Sequence, residues 1–270
     1  MGNEFHPIEI EVGHRPTGVA VTPDGARAYV ANRASGTVGV VDLARRATVA
    51  SIATGGGPVG VAVHPSGDRA YATDLTAERV HTIDTATGAI VGGVDVHGFP
   101  TGIAITPDGG TAYVACPGIL ALRTIDLVIG KVVGEPIVLE GQPSGVALSP
   151  DGARAFVTRE GDGLVTVLDT ATRAPVAAIK TGAASFGVAA TPDGARVFVV
   201  NTGGTGPDGP SVLVVTGGRV VSAPVRVGPP GGGLAFGVAF GPDGRETYLT
   251  HAPKEGPGRL SVRPTAFFLT

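Results

Sequence analysis

The phrase PTGVAVTPDGARAYVAN, residues 16–32, returns five times along this chain: PVGVAVHPSGDRAYATD from Pro58, PTGIAITPDGGTAYVAC from Pro100, PSGVALSPDGARAFVTR from Pro143, SFGVAATPDGARVFVVN from Ser185 and AFGVAFGPDGRETYLTH from Ala235. The glycines after each opening pair, Gly18, Gly60, Gly102, Gly145, Gly187 and Gly237, stand 42, 42, 43, 42 and 50 residues apart. A period of about 40 residues holding several short strands leaves few folds open, because such a unit buries its apolar faces only against its neighbours. The first unit reads as strand GVAVT, turn PDG, strand RAYVAN, a variable loop, strand TVGVVD, a polar turn and strand ATVASIA: four strands, one blade. In the turn, Pro presets φ, Asp tolerates the tight geometry and Gly supplies positive φ without steric cost. No window of helical length sustains a 3.6-residue period, so helix is expected to be almost absent.

The expected fold is therefore all-β, a six-bladed β-propeller of four-stranded antiparallel blades, forming a single domain over residues 1–270. The last unit runs through GVAF, ETYLTH and RLSVRP and ends without a fourth strand, whereas the opening HPIEIEVGHRP matches a fourth strand and the loop after it. The N-terminal strand should complete the last blade and remove an exposed sheet edge, leaving TAFFLT as an extra segment. Tyr29, Tyr71, Tyr113, Phe156, Phe198 and Tyr248 share one position of the second strand and are expected to pack between blades. The long insertion TGGTGPDGP, residues 202–210, carries no apolar anchor and is expected to be mobile.

Gly 44 and Pro 22 make up about a quarter of the chain, a level that in an aperiodic sequence signals low complexity. Their recurrence at fixed offsets between apolar runs marks turns instead. The net charge of −3, with basic residues scattered singly, provides no footprint for a phosphate backbone or an anionic lipid surface, so neither nucleic acid nor membrane is an expected partner. The N-terminal MGNEFHPIEI lacks the basic start and apolar run of a signal peptide, and no stretch approaches a spanning helix. With one cysteine, Cys116, no internal disulfide can form. These features point to a cytoplasmic protein.

The phrases AYVAN, TPDG and VVDLARRATVASIATGGGPVG resemble the YVTN-type β-propeller repeat family, named for the tetrapeptide seen here as YVAN, and the likeness runs over essentially the whole chain. The resemblance implies the propeller fold; such propellers serve as surface-layer modules, binding proteins and parts of enzymes, so it assigns no chemistry. A more distant likeness, through the PDG turns, is to streptogramin B lyase propellers. Their tryptophan after the turn is missing in a chain with no Trp, and their His and Glu catalytic set finds no residue-by-residue match.

Propellers bind ligands at the channel mouth, on the face carrying the loops between second and third strands. The repeat itself aligns the candidates. At the end of the second strand stand Asn32, Asp74, Cys116, Arg159, Asn201 and His251; just before each first strand stand Arg15, Gly57, Phe99, Gln142, Ala184 and Leu234, with Phe186 and Phe236 close by. A carboxylate, a guanidinium and an imidazole among apolar neighbours resemble a ligand site, and an unperturbed imidazole titrates close to neutrality. Asp74, Arg159 and His251 are thus the candidate catalytic residues, with Arg15, Phe99, Cys116, Gln142, Phe186, Asn201 and Phe236 as candidate ligand contacts. The same column also reads as ordinary loop variation around an Asn that caps a strand.

Asp74, Cys116 and His251 include zinc-ligand types, yet they fall on three different blades with no short ligand spacing, so no metal is expected. Cys116 is a nucleophile only if a nearby cation lowers its pKa; buried, it is inert. Asp42, Asp84, Asp126 and Asp169 recur once per blade, which marks them as turn caps. GTGPDG, residues 204–209, fits G-x-G-x-x-G but leads into a strand and contains Pro207, so no helix N-terminus is available for a pyrophosphate, and no cofactor is expected. Two functions follow: a propeller binding a small organic molecule at the channel mouth, with non-redox acid–base chemistry of a lyase or cyclase kind open to it, or a non-enzymatic scaffold for protein interaction.

Overall fold

The structure, a computed structural model, describes residues 7–182, 184–202, 210–216, 219–221, 225–227 and 233–269. Most of the 202–210 insertion lies outside the described residues. Six antiparallel sheets follow one another around a ring. Blade 1 comprises Pro16–Val21, Arg27–Asn32, Thr37–Asp42 and Ala47–Ala53. Blade 2 comprises Pro58–Val63, Arg69–Asp74, Arg79–Asp84 and Ile90–Asp95. Blade 3 comprises Ile103–Ile105, Thr111–Cys116, Ala121–Asp126 and Lys131–Val138, and blade 4 Pro143–Leu148, Arg154–Arg159, Leu164–Asp169 and Ala174–Lys180. Blade 5 has Ser185–Ala190, Val197–Asn201 and Ser211–Thr216; its outer position is shared by two short strands, Arg219–Val220 and Val225–Arg226, both paired with the third strand.

Blade 6 comprises Gly233–Phe240, Glu246–Pro253 and Arg259–Pro264, and its fourth strand is the N-terminal Ile8–Glu11, paired as Ile8↔Val262, Ile10↔Leu260 and Glu11↔Arg259. The ring is closed as the sequence pattern implied. The only helical turns among the described residues are Pro117–Ile119 and Thr265–Phe268. The second comes from the TAFFLT segment and drives Phe268 against Phe198, with ring centroids 5.4 Å apart.

The core is not one central mass but six buried clusters, each drawn from two neighbouring blades. The recurrent aromatics sit in these seams: Tyr29 faces blade 2, Tyr71 blade 3, Tyr113 blade 4, Phe198 blade 6 and Tyr248 blade 1, all buried. Each contributes roughly 1.5–3 kcal/mol of burial. The recurrent aspartates act as turn caps; Asp84 Oδ1, for example, accepts from the N–H groups of Ala86 (3.1 Å) and Thr87 (2.9 Å).

Toward the axis the blades are joined by hydroxyls. Thr17 donates to Val59 O (2.7 Å), Thr101 to Ser144 O (2.8 Å), Thr158 to Phe186 O (2.6 Å), Thr250 to Thr17 O (2.5 Å) and Thr73 to Thr101 O. The donor comes either from the residue before the first-strand glycine or from the second strand. Blade 5 has Phe186 and Val200 at those two positions, and at its seam with blade 6 the hydroxyl is replaced by the edge-to-face pair Phe186–Phe236, centroids 5.3 Å apart.

Candidate functional site

The six first strands line the central channel through their Gly-Val or Gly-Ile steps. These glycines allow the blades to meet: a Cβ on Gly18 would stand 2.7 Å from Val59 O and 2.9 Å from Gly60 Cα, and one on Gly102 would stand 2.6 Å from Ser144 O. The same relation continues from Gly60 to Thr101 O, Gly145 to Phe186 O, Gly187 to Phe236 O and Gly237 to Thr17 O, so it closes around the ring. The space left is about 90 Å³, the liquid volume of about three waters and well below the ~300 Å³ at which small-molecule sites begin. The channel itself is therefore too small for an ordinary organic ligand.

The strand-end residues do not form a ring around that mouth. Blades stand edge-on to the axis and side chains alternate across a strand, so each of these six points into the seam with the preceding blade, beneath the loop that leads into its own blade. Glycines in those loops make the room: a Cβ on Gly13 would stand 2.6 Å from Asn32 Cγ, one on Gly141 2.8 Å from Arg159 Nε, and one on Gly56 would overlap the Asp74 carboxylate. Asp74, fully buried, accepts from the N–H groups of Gly57 (3.0 Å), Thr76 (3.0 Å) and Ala77 (2.9 Å), and His81 Nε2 lies 3.4 Å away. Asn201 donates to Thr181 O (3.0 Å) and accepts from Ser185 Oγ (2.8 Å). Arg159 is held on Asp162 through Nε (2.8 Å) and Nη2, with Glu140 3.8 Å away.

Cys116 is buried, and desolvation pushes its thiol up to about 12, which keeps it protonated and unreactive. His251 is 2% exposed, and neither ring nitrogen has a hydrogen-bond partner among the described residues. Burial, with help from Arg263, lowers its pKa to about 3, so the imidazole is neutral at ordinary pH. Asp74, Arg159 and His251 thus lie in three separate seams. Of the predicted contacts, Phe186 and Phe236 come together at the top of the channel, while Arg15, Phe99 and Gln142 are exposed on the rim. Arg15 (φ 48°) and Phe99 (φ 59°) are held in the left-handed region, which costs a non-glycine residue roughly 1–3 kcal/mol.

The residues one position beyond the strand ends are Arg33, Leu75, Pro117, Glu160, Thr202 and Ala252. Only two are charged, and they come from blades 1 and 4, on opposite sides of the ring. Glu160 touches solvent, yet the protein packed around its carboxyl raises its pKa above the ordinary carboxylate value; the Arg33 guanidinium is close enough to act against that rise. Both side chains are exposed, and no ion pair closes between them. Arg15 adds a second cation beside Arg33, whose N–H donates to Arg15 O (3.1 Å). Among the described residues, no three His, Cys, Asp or Glu side chains cluster as a metal site, and no helix is long and apolar enough to cross a membrane.

No family model matches the chain, and no curated protein sequence matches it. Among solved structures the chain is similar to a chain of hydrazine synthase from Kuenenia stuttgartiensis, with a TM-score of 0.68 and 25% identity, over 92% of this chain and 76% of that one. The fold defines a six-bladed β-propeller with a narrow central channel and a loop face whose residues differ from blade to blade.

Proposed function

We propose that this propeller binds a small organic molecule over the channel mouth, on the face carrying the loops between second and third strands. What supports the reading is the unlike chemistry of this face: Arg33 of blade 1 and Glu160 of blade 4 are exposed charges in its loops, and Phe186 and Phe236 meet at the channel. Arg15, Phe99 and Gln142 form the rim. Asp74, Asn201 and Arg159 tie the loops beneath that rim by hydrogen bonds, while Cys116 and His251 are buried beside them. A carboxyl raised by its surroundings is suited to hold and release a proton, which is the part a lyase or cyclase working by acid–base chemistry needs. That a solved neighbour bears the name of a synthase is compatible with an enzymatic role. The YVTN-type motif reading agrees with a binding propeller, and a free, buried Cys116 fits a reducing cytoplasm.

The test is to look for a molecule retained by the purified protein, by native mass spectrometry and by crystallography of the loop face. Arg33→Ala and Glu160→Gln should each lose it while melting as wild type does. A ligand elsewhere, or one indifferent to both changes, would refute the reading. A second reading, an interaction scaffold, is favoured by Val128 and Ile129, 84% and 59% exposed in the last turn of blade 3 on the opposite face.

A further inference from the structure

On the face of the PDG turns, opposite the proposed ligand face, blade 2 departs from its neighbours. In blades 1, 3, 4 and 5 the turn holds a hydroxyl on a carboxylate: Thr22 donates to Asp24 (2.6 Å), and Thr106 to Asp108, Ser149 to Asp151 and Thr191 to Asp193 (2.5 Å each). Blade 2 reads His64-Pro65-Ser66-Gly67-Asp68, which puts an imidazole in the place of the hydroxyl, a hydroxyl in the place of the carboxylate and a carboxylate two residues on. Ser66 Oγ lies 2.6 Å from His64 Nδ1 and is also bonded to Asp68 Oδ1; Nδ1 and Oδ1 are 3.7 Å apart. The second ring nitrogen, Nε2, lies 3.2 Å from Gly109 O of blade 3. A carbonyl oxygen only accepts, so the tautomer that satisfies this bond carries its proton on Nε2 and leaves Nδ1 as a free base facing the serine. The Ser66 N–H, which donates to Nδ1 (3.2 Å), agrees with that tautomer. The Ser66 hydroxyl holds the Asp68 carboxyl below the ordinary carboxylate value, so it is ionised at neutral pH.

Ser66 also lines a cavity of about 540 Å³ in the seam of blades 1 and 2, together with Pro23, Arg27, Tyr29 and Thr85. Unlike the channel, this space falls in the range of small-molecule sites, roughly 300–1,000 Å³. Arg27 is the only cation among the described residues that line it, and it is anchored by Nη1 on Thr85 O (3.1 Å). A hydroxyl within hydrogen-bond reach of a base, the base oriented by a third group, and a cavity beside the hydroxyl are the parts of an activated nucleophile. We propose that Ser66 and His64 form a nucleophile–base pair that cleaves small carboxylic esters bound in this cavity, with Asp68 stabilising the imidazolium and Arg27 holding a substrate oxygen. Ser66 Oγ attacks the ester carbonyl carbon as its proton passes to His64 Nδ1. The carbon–alkoxide bond then breaks, and the same proton goes to the leaving alkoxide, giving acyl-Ser66 and an alcohol. Water, giving its proton to Nδ1, attacks the acyl carbon; the proton returns to Ser66 Oγ as the acid leaves.

The experiment treats the intact protein with a fluorophosphonate, a reagent selective for activated serines, and maps the adduct by peptide mass spectrometry; p-nitrophenyl acetate reports turnover. Ser149 is the control within the same molecule, since it has the hydroxyl-to-carboxylate contact in the equivalent turn of blade 4 without an imidazole. The label should fall on Ser66 and not on Ser149, and Ser66→Ala should lose both the label and the release of nitrophenolate. His64→Gln keeps a donor for Gly109 O, so it should melt as wild type does while labelling and turning over about a hundredfold more slowly, the contribution of a positioned general base. Four results would each overturn the assignment: Ser66 left unlabelled, Ser149 labelled as readily, nitrophenolate release no faster than from Ser66→Ala, or a His64→Gln variant as reactive as wild type.

Discussion

The glycine ring makes a sharp mechanical prediction at Gly102. An added Cβ there would stand 2.6 Å from Ser144 O, 2.8 Å from Gly145 Cα and 2.8 Å from Val146 N, all backbone atoms of the next blade. Ordinary carbon contacts lie near 3.5–4.0 Å, so the overlap is about an ångström, and no side chain can rotate aside to relieve it. Blade 4 must move away from blade 3, which stretches the Thr101 Oγ1 to Ser144 O bond (2.8 Å) and opens the seam cluster around Tyr113 and Val146. Overpacking of a close-packed interior costs about 1–3 kcal/mol, and a clash against three backbone atoms of the next blade belongs at the upper end or beyond.

For a chain of this size, ~3 kcal/mol lowers the melting temperature by roughly 6 °C. The control is Gly92→Ala in the fourth strand of blade 2, where an added Cβ meets nothing within 4 Å. That change should be neutral or stabilising by a few tenths of a kcal/mol, since a strand glycine carries an entropic penalty relative to alanine. Calorimetric melting of both variants beside wild type decides the matter. If Gly102→Ala melts within a degree of wild type, or falls no further than Gly92→Ala, the ring is not closed by backbone contact and the reasoning fails.

His251 predicts an acid-sensitive seam. Its folded pKa, about 3, lies below its ordinary 6.5, so its contribution is complete above pH 6.5 and is lost as pH falls from there toward 3, at about 1.4 kcal/mol per unit. Near pH 4.5 wild type should have lost on the order of 3 kcal/mol through this residue; denaturant curves of His251→Leu should lack that slope, and parallel pH profiles would show the imidazole to be accessible to protons. Thr250→Val removes the donor to Thr17 O (2.5 Å) and the acceptor for Gly237 N–H (2.8 Å), so urea unfolding should report a loss of about 2 kcal/mol; a loss below ~0.5 kcal/mol would mean the seam hydroxyls are dispensable. Removal of residues 1–13 leaves Arg259–Pro264 as an unpaired edge, and light scattering should detect association; a monodisperse product melting as the parent does would contradict closure through Ile8–Glu11.

Turn chemistry and period made the blades legible: PDG recurs because that turn needs Pro, Asp and Gly at those places, and the missing fourth strand of the last unit identified Ile8–Glu11 as its substitute. The seam hydroxyls were not legible, because the donors are divided between two columns. Thr17, Thr101 and Ser144 occupy one and Thr73, Thr158 and Thr250 the other, so neither column is uniform when read alone. The burial of the strand-end column was not legible for a related reason. Spacing reveals which positions are equivalent, but not whether a column faces the axis or a seam. The strand-end side chains are variable, as a site's would be, yet several of them meet local needs of a loop, three backbone N–H groups on Asp74 in one blade and an Asp162 contact for Arg159 in another.

Sixfold repetition works against a binding site, since a ligand without sixfold symmetry needs different groups on different blades. In this chain the positions that hold the ring together have kept their character, glycine at the first strand and an aromatic in each seam, because a change at any one of them strains two blades. Divergence is tolerated where the backbone is open, and it is concentrated on one face: Arg15 and Arg33 on blade 1, Phe99 on blade 3, Glu160 on blade 4, and Phe186 and Phe236 where the seam hydroxyl has been given up. The exchange at blade 5 links structure to chemistry most directly, for the seam without a hydroxyl is also the one that lays two aromatic rings at the channel mouth. Restoring a threonine at Phe186 would rebuild the missing link between blades and remove half of the apolar floor on which a ligand would rest.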